Sequence, residues 1–117
     1  MPYVVGFVIA VPTARKEDYR AHAEVAAQVL KELGALQTVE CWGDDVPEGQ
    51  VTSFPMAVKR RDDETVVFSW ITWPSRTARD AGMARFMDHP RVKAMQDMPF
   101  DGQRMIYGGF EVMLDVS

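Results

Sequence analysis

The β-strand segments of this chain carry more apolar side chain than two helices can hide. Between Tyr3 and Val11, Tyr3, Val5, Phe7, Ile9 and Val11 alternate to one side, and Val4, Val8 and Ala10 to the other. Thr65 to Trp73 repeats the pattern, setting Val67, Ile71 and Trp73 against Val66, Phe68 and Trp70. The segment from Met105 to Leu114 sets Ile106, Phe110, Val112 and Leu114 against Met105, Tyr107 and Met113. A strand with one wet face alternates into polar residues on that face. These strands do not, so both sides of their sheet need a cover.

Helical periodicity supplies the cover for one side. From Ala14 to Leu33, Tyr19, Ala23, Ala26, Leu30 and Leu33 recur at spacings of three and four, which is one apolar stripe. Thr13 is a candidate N-cap and Gly34 a natural C-terminal stop. A second helix is expected from Ser75 or Thr77 to the stop at Pro90, with Ala78, Gly82, Met83, Phe86 and Met87 on its apolar side, and a further turn over Val92–Met98. A strand over Leu36–Gly43, a loop over Asp44–Gln50 and a short strand at Phe54–Lys59, leading to a charged tip at Lys59–Glu64, complete the order. The reading is α+β: a ferredoxin-like βαββαβ plan with an antiparallel sheet, forming one domain over residues 1–117.

Two helices cover one face of a four-stranded sheet. Each large side chain left wet on the other face forgoes about 1.5–3 kcal/mol, and half a dozen would make a patch larger than soluble monomers tolerate. A second copy laid sheet to sheet resolves this with a two-fold contact, so a homodimer is expected. The alternative is that the hairpin and the Met95–Phe100 segment fold over the second face.

Composition narrows the partners. Apolar residues make up 47% of 117, which excludes a disordered chain, and the net charge of −4 with no basic stripe argues against nucleic acid. The longest apolar run, Tyr3 to Val11, is too short to cross a membrane. A single cysteine, Cys41, forbids an intrachain disulfide and a multi-cysteine zinc site, and favours a cytoplasmic location. No metal site and no cofactor are expected, because the two histidines stand apart and no phosphate-cradling glycine loop occurs.

Several side chains are candidates for chemistry, each with a structural alternative. Glu40 and Trp42 share a strand face and suggest a pocket wall with an acid beside an aromatic platform; they read equally as an edge carboxylate and a core tryptophan. Cys41 points the other way, as small core filler. Asp44 and Asp45 belong to a turn, and Arg60, Arg61, Asp62, Asp63 and Glu64 to a wet tip. His22 lies at the margin of the first helical stripe, and His89 at a helix end. Asp101, Arg104 and Tyr107 form the leading group, with Arg79 beside Asp80 and with Trp70 as a flat wall. Arg104 could grip a ligand carboxylate or enolate with both arms, and Tyr107 could donate a proton. Structurally, Asp101 would cap a turn, Arg79 and Arg104 would pair with Asp80 or Asp101, and Tyr107 would pack in a dimer core. No residue is assigned as catalytic.

Several blocks of sequence are distinctive. Val66-Val67-Phe68-Ser69-Trp70-Ile71 leads to Trp73-Pro74-Ser75, Arg79-Asp80-Ala81 and Pro90-Arg91. Met98-Pro99-Phe100-Asp101-Gly102 then precedes Arg104-Met105-Ile106-Tyr107-Gly108-Gly109-Phe110, and Val39-Glu40-Cys41-Trp42 stands earlier. With these blocks the chain resembles, over nearly its whole length, the YbaA-like family of bacterial proteins, a domain of unknown function (number 1428). His89 departs from the pattern, standing where the family often has an acid before Pro-Arg. The resemblance implies a dimeric α/β barrel and carries over no catalytic residue. By analogy of fold it suggests a dimeric small-molecule-binding domain, or a cofactor-independent enzyme of the oxygenase, isomerase or decarboxylase kind. A non-enzymatic binding or regulatory module is the first alternative; RNA binding through Lys59, Arg60, Arg61, Arg91, Lys93 and Arg104 is the second.

Overall fold

The computed structural model describes residues 2–95 and 98–117. Strand β1 (Tyr3–Pro12) passes through a 3-10 turn (Thr13–Arg15) into α1 (Lys16–Glu32), and β2 (Gln37–Trp42) follows. A short helix α2 (Phe54–Ala57) precedes β3 (Glu64–Trp73). Then come α3 (Arg76–Asp88), a single turn α4 (Pro90–Lys93) and β4 (Ile106–Glu111). The strands lie in the order β2-β3-β1-β4 and every neighbouring pair is antiparallel. Hence β1 runs parallel to β2 with β3 between them, and β3 runs parallel to β4 with β1 between them. Two interlocked split βαβ units result, the ferredoxin-like arrangement.

The register Tyr3↔Trp73, Val5↔Ile71 and Ile9↔Val67 puts the bulkiest residues of β1 and β3 on one face. There Leu30 of α1 and Ala78, Met83 and Phe86 of α3 pack on Tyr3, Val5, Ile71 and Trp73, while Tyr19 packs with Ile9, Val11 and Val67. The fully buried Trp73 ring sits so close to α3 that a side chain at Gly82 would meet it. In the same way Gly109 leaves room on β4 for the Tyr3 ring. That close approach explains a glycine inside a strand.

Among the described residues, the opposite face is covered at one end only. Val58, just after α2, seals Val8, Ala10 and Val66. Beyond it Phe68 and Ile106 stay 44% exposed and Phe110 62% exposed. The turn expected over Val92–Met98 and the Met95–Phe100 segment include Gln96 and Asp97, which lie outside the described residues. Phe100, past that break, packs with the helix-side core of Ile9, Val11, Tyr19 and Val67, not with the second face.

Local expectations are corrected at several places. Thr13 does not cap α1; its hydroxyl pairs with that of Thr65 at 2.6 Å, and the helix begins behind the 3-10 turn. Phe54–Lys59 is no strand: Ser53 Oγ accepts the Met56 amide at 3.1 Å, and Pro55, with no N–H for a ladder, suits a first helical turn. Ser75, rather than Thr77, caps α3, accepting the Ala78 amide at 3.1 Å. Strand β4 stops at Glu111, opposite Tyr3, where β1 runs out of residues to pair; Val112 still donates to the Pro2 carbonyl at 3.2 Å. Cys41 is exposed instead of filling the core, because β2 is an edge strand and Cys41 faces the open side. Glu64, expected in a wet tip, is only 7% exposed.

Candidate functional site

The crossing of α1 over β2 places two matched pairs of side chains. Lys16, Tyr19 and Ala23 lie on one side of α1, where three residues advance about 4.5 Å. Trp42, Glu40 and Thr38 lie on the helix-facing side of β2, where two residues advance about 6.6 Å. The helix runs against the strand, so the rungs meet in opposite order. The Lys16 ammonium stands 5.3 Å over the Trp42 ring, and the Tyr19 hydroxyl donates to Glu40 Oε1 at 2.6 Å.

Between these pairs opens a cleft of about 350 Å³ lined by Lys16, Tyr19, Arg20, Glu24, Thr38, Glu40 and Trp42 among others. Deeper, between α1, α3 and the sheet, lies an apolar cavity of about 180 Å³. Phe7, Ile9 and Ile71 form its floor, and Met83, Phe86, Phe100 and Met105 help to close it. Tyr19, Ala23, Thr38 and Glu40 line both spaces, so they form the shared wall. The polar atoms reaching the inner cavity come from Tyr19, His22, Thr38, Glu40 and Ser69. Phe100 braces two of them, meeting the Tyr19 ring edge-on at 5.8 Å and the His22 ring at 6.3 Å.

Burial sets the protonation of this trio. It raises the Glu40 carboxyl above the ordinary range, and the Tyr19 hydrogen bond, which favours the carboxylate, opposes that rise only in part. It also raises Tyr19, helped by the neighbouring Glu40 charge, so the phenol stays a donor. It lowers His22, which favours neutral imidazole. A carboxylate of raised basicity, a fixed phenol and a neutral imidazole around an apolar cavity can accept and return a proton of a bound molecule. Among the described residues no three His, Cys, Asp or Glu side chains gather closely enough to hold a metal ion.

The seven residues singled out in the sequence do not converge on one cavity. Glu40 and Trp42 stand together in the cleft. Trp70 is on the opposite side of the sheet, tilted against Phe68 at 5.6 Å. Arg79 lies 5.0 Å over the Tyr3 ring and bonds Asp80 at 2.7 Å. Asp101 accepts the Gln103 amide at 2.9 Å and Arg104 Nε at 3.0 Å. The Arg79–Asp80 and Arg104–Asp101 pairs are those of the structural alternative; the two arms of Arg104, offered as a grip for a ligand, hold buried Glu64 at 2.7 and 2.6 Å, and Nη1 also meets the Lys59 carbonyl at 2.9 Å. All three guanidinium nitrogens are thereby engaged. Tyr107 shares the helix-facing side but sits on outer strand β4, 71% exposed, stacked on Phe7 at 6.1 Å.

Tyr19 is the residue the sequence hid. It belongs to the apolar stripe of α1 and reads as core, and its hydroxyl finds a partner only because β2 lies next to α1. The signal available was the pairing of Tyr19 with His22 three residues on, facing a strand that carries Glu40.

Comparison with known proteins follows this geometry closely in fold. A protein from an uncultured marine organism, described as dimeric and ferredoxin-like, matches with a TM-score of 0.61 at 14% identity, over 99% of this chain and 100% of its own. A variant of SnoaB, a cofactor-independent oxygenase from Streptomyces nogalater, matches with a TM-score of 0.58 at 12% identity, over 98% and 96%. In sequence, the uncharacterized protein YbaA of Escherichia coli is 56% identical over 116 residues, 98% of this chain and 99% of the relative. Residues 2–102 match the family described as protein of unknown function (DUF1428). By that match and by its identity to YbaA along nearly the whole chain, this protein belongs to the DUF1428 family.

Proposed function

We propose that this chain is a homodimeric small-molecule-binding protein that holds its ligand between α1 and the sheet and its second copy on the opposite face. The observation that carries the ligand site is the 2.6 Å hydrogen bond from Tyr19 to Glu40 in the wall of an otherwise apolar cavity. Pockets that bind small molecules are mostly apolar with a few fixed polar groups, and this one has that character. Glu40 and Trp42 are the ligand-contacting residues kept from the sequence reading, joined by Tyr19 and His22. The chemistry that suits them is proton transfer without a cofactor, with Glu40 as the base, Tyr19 as its positioning donor and His22 as a second proton carrier. That SnoaB, on the same fold, is a cofactor-independent oxygenase supports this reading.

The second copy follows from the bare face. Phe68, Ile106 and Phe110 are large, exposed and contiguous with half-buried Trp70, and an isologous contact would let each copy cover the other.

A fragment screen read by amide chemical shifts tests the site. Small aromatic acids and phenols are expected to shift Tyr19, His22, Glu40 and Phe100, and Glu40→Gln to weaken the best of them. Hits confined to the open face, or no hit at all, would overturn the site. A hit whose conversion survives Glu40→Gln unchanged would remove the proton-transfer role and leave binding alone.

A further inference from the structure

An unpaired ammonium in the outer cleft says what kind of molecule the inner cavity takes. Four charged side chains line it: Lys16, Arg20, Glu24 and Glu40. Arg20 and Glu24 pair with each other at 3.5 Å, one turn apart on α1. Glu40 is taken by the Tyr19 hydroxyl. Lys16 has no carboxylate partner among the described residues; its ammonium is held over Trp42 alone. An aromatic face fixes a cation's position without neutralising it. The Lys16 ammonium therefore stands at the mouth of the cleft without a carboxylate partner among the described residues, held by an aromatic platform, above a cavity walled by Phe7, Phe86 and Phe100.

We infer that the ligand is an amphipathic carboxylic acid, its apolar ring or chain in the inner cavity and its carboxylate on Lys16 at the mouth. This rests on the cleft being the ligand site. The shared wall explains why the two ends of such a molecule fit. Tyr19, Ala23, Thr38 and Glu40 face both spaces, so the two lie side by side, and a molecule of several carbons reaching from one to the other would lie against the Tyr19–Glu40 pair. Its middle, not its charged end, then lies next to Glu40. A carboxylate placed directly against Glu40 would meet like charge, whereas one at Lys16 meets an ammonium with no carboxylate partner among the described residues. Trp42 contributes a flat wall beside that cation, which favours a planar acid at the mouth.

Calorimetric titration of the 117-residue chain at neutral pH and low salt, with three probes sharing one hydrocarbon part, tests this. Hydrocinnamate carries the carboxylate, hydrocinnamamide is its neutral counterpart, and phenylpropylamine carries the opposite charge. Hydrocinnamate is expected to bind about tenfold more tightly than the amide, as one charge-assisted contact allows, and the amine more weakly than either. Lys16→Met should erase the difference between acid and amide while leaving the affinity for the amide unchanged. Lys16→Arg should keep the difference. Because Lys16 is exposed, neither change threatens the fold. Equal affinities for acid and amide in the unmodified chain would overturn the inference while leaving the cleft as the site. So would a preference that survives Lys16→Met. If none of the three probes binds, and fragments shift only residues elsewhere, the inference falls together with the site on which it rests.

Discussion

Tyr3, Val5, Ile71 and Trp73 lie buried beneath α1 and α3, whereas Val4, Phe68, Trp70 and Phe110, from the same strands and β4, face a side that the chain leaves largely open. The difference lies in what the connections can reach. Both long helices return over the same face, as the crossover geometry of two interlocked βαβ units demands. Among the described residues the β2–β3 connection reaches the other side, where Val58 seals Val8, Ala10 and Val66 and Phe54 meets the edge of Phe68. The closed face has depth, since helices stand off the sheet and leave a cavity beside Tyr19 and Glu40. The open face has area without depth. One therefore suits a small ligand and the other a flat partner.

The first way to break this contrast is to hollow the closed face. Trp73→Ala removes a side chain with no exposure and should cost about 3–5 kcal/mol by urea unfolding; a loss below about 1 kcal/mol would deny that this face holds the core. A charge at the centre of the open face comes next. Phe110→Glu is expected to weaken self-association at least about tenfold, or 1.4 kcal/mol. The stability of the separated chain should move within about 0.5 kcal/mol, as at ordinary surface sites. Equal association before and after the change would remove this face from the interface.

The Glu64–Arg104 pair, at the end of the sheet, gives a smaller effect with a sign in pH. The hydrogen bond from Arg104 holds the Glu64 carboxyl below its ordinary range. A depressed carboxyl contributes stability above its unfolded pKa, about 4.3, and that stability is lost as pH falls through the lower folded value. Arg104→Met should thus cost about 1–3 kcal/mol at neutral pH, because Glu64 stays buried without its partner. The same change should flatten the acid limb of the stability profile. An unaltered acid limb would mean that other carboxylates set it.

The smallest effect is the most local. Because the Tyr19 hydrogen bond lowers the Glu40 pKa against the raising effect of burial, Tyr19→Phe should raise it further, as read by carbon-detected titration of the Glu40 carboxyl. The linkage has the opposite sign to that of Glu64. Raised in the folded chain, Glu40 favours folding below its unfolded pKa, and that contribution fades as pH rises through the folded value. Glu40→Gln should remove that slope. A fall of the Glu40 pKa in Tyr19→Phe would contradict the pairing.

How far the sequence could be read depends on the range of the contact. Alternation in Tyr3–Val11 and Thr65–Trp73 and the stripe of α1 depend on neighbours two to four residues apart, and the element order followed from them. Local assignments fell short for different reasons. Pro55 and Ser53 favour a helical turn where apolar content alone suggested a strand. Thr13 found Thr65, fifty-two residues away, more useful than its own helix. Arg104 does pair with Asp101, three residues off, but both its arms also hold Glu64, forty residues away and hidden in what reads as a solvated tip. The same limit applies to the site. Glu40 and Trp42 shared a strand face visibly, but Tyr19 and Lys16 join them only through the stacking of α1 on β2. Alternation sets Trp70 opposite Val67, Ile71 and Trp73, but no spacing along the chain reveals which of those two sides Glu40 and Trp42 share.

The claim on which the two-face account depends most is that a second copy covers Phe68, Ile106 and Phe110. Sedimentation equilibrium at micromolar concentration measures it directly. The account predicts a single species of twice the 13.2 kDa chain mass, whereas a species of one chain mass across that range would contradict it.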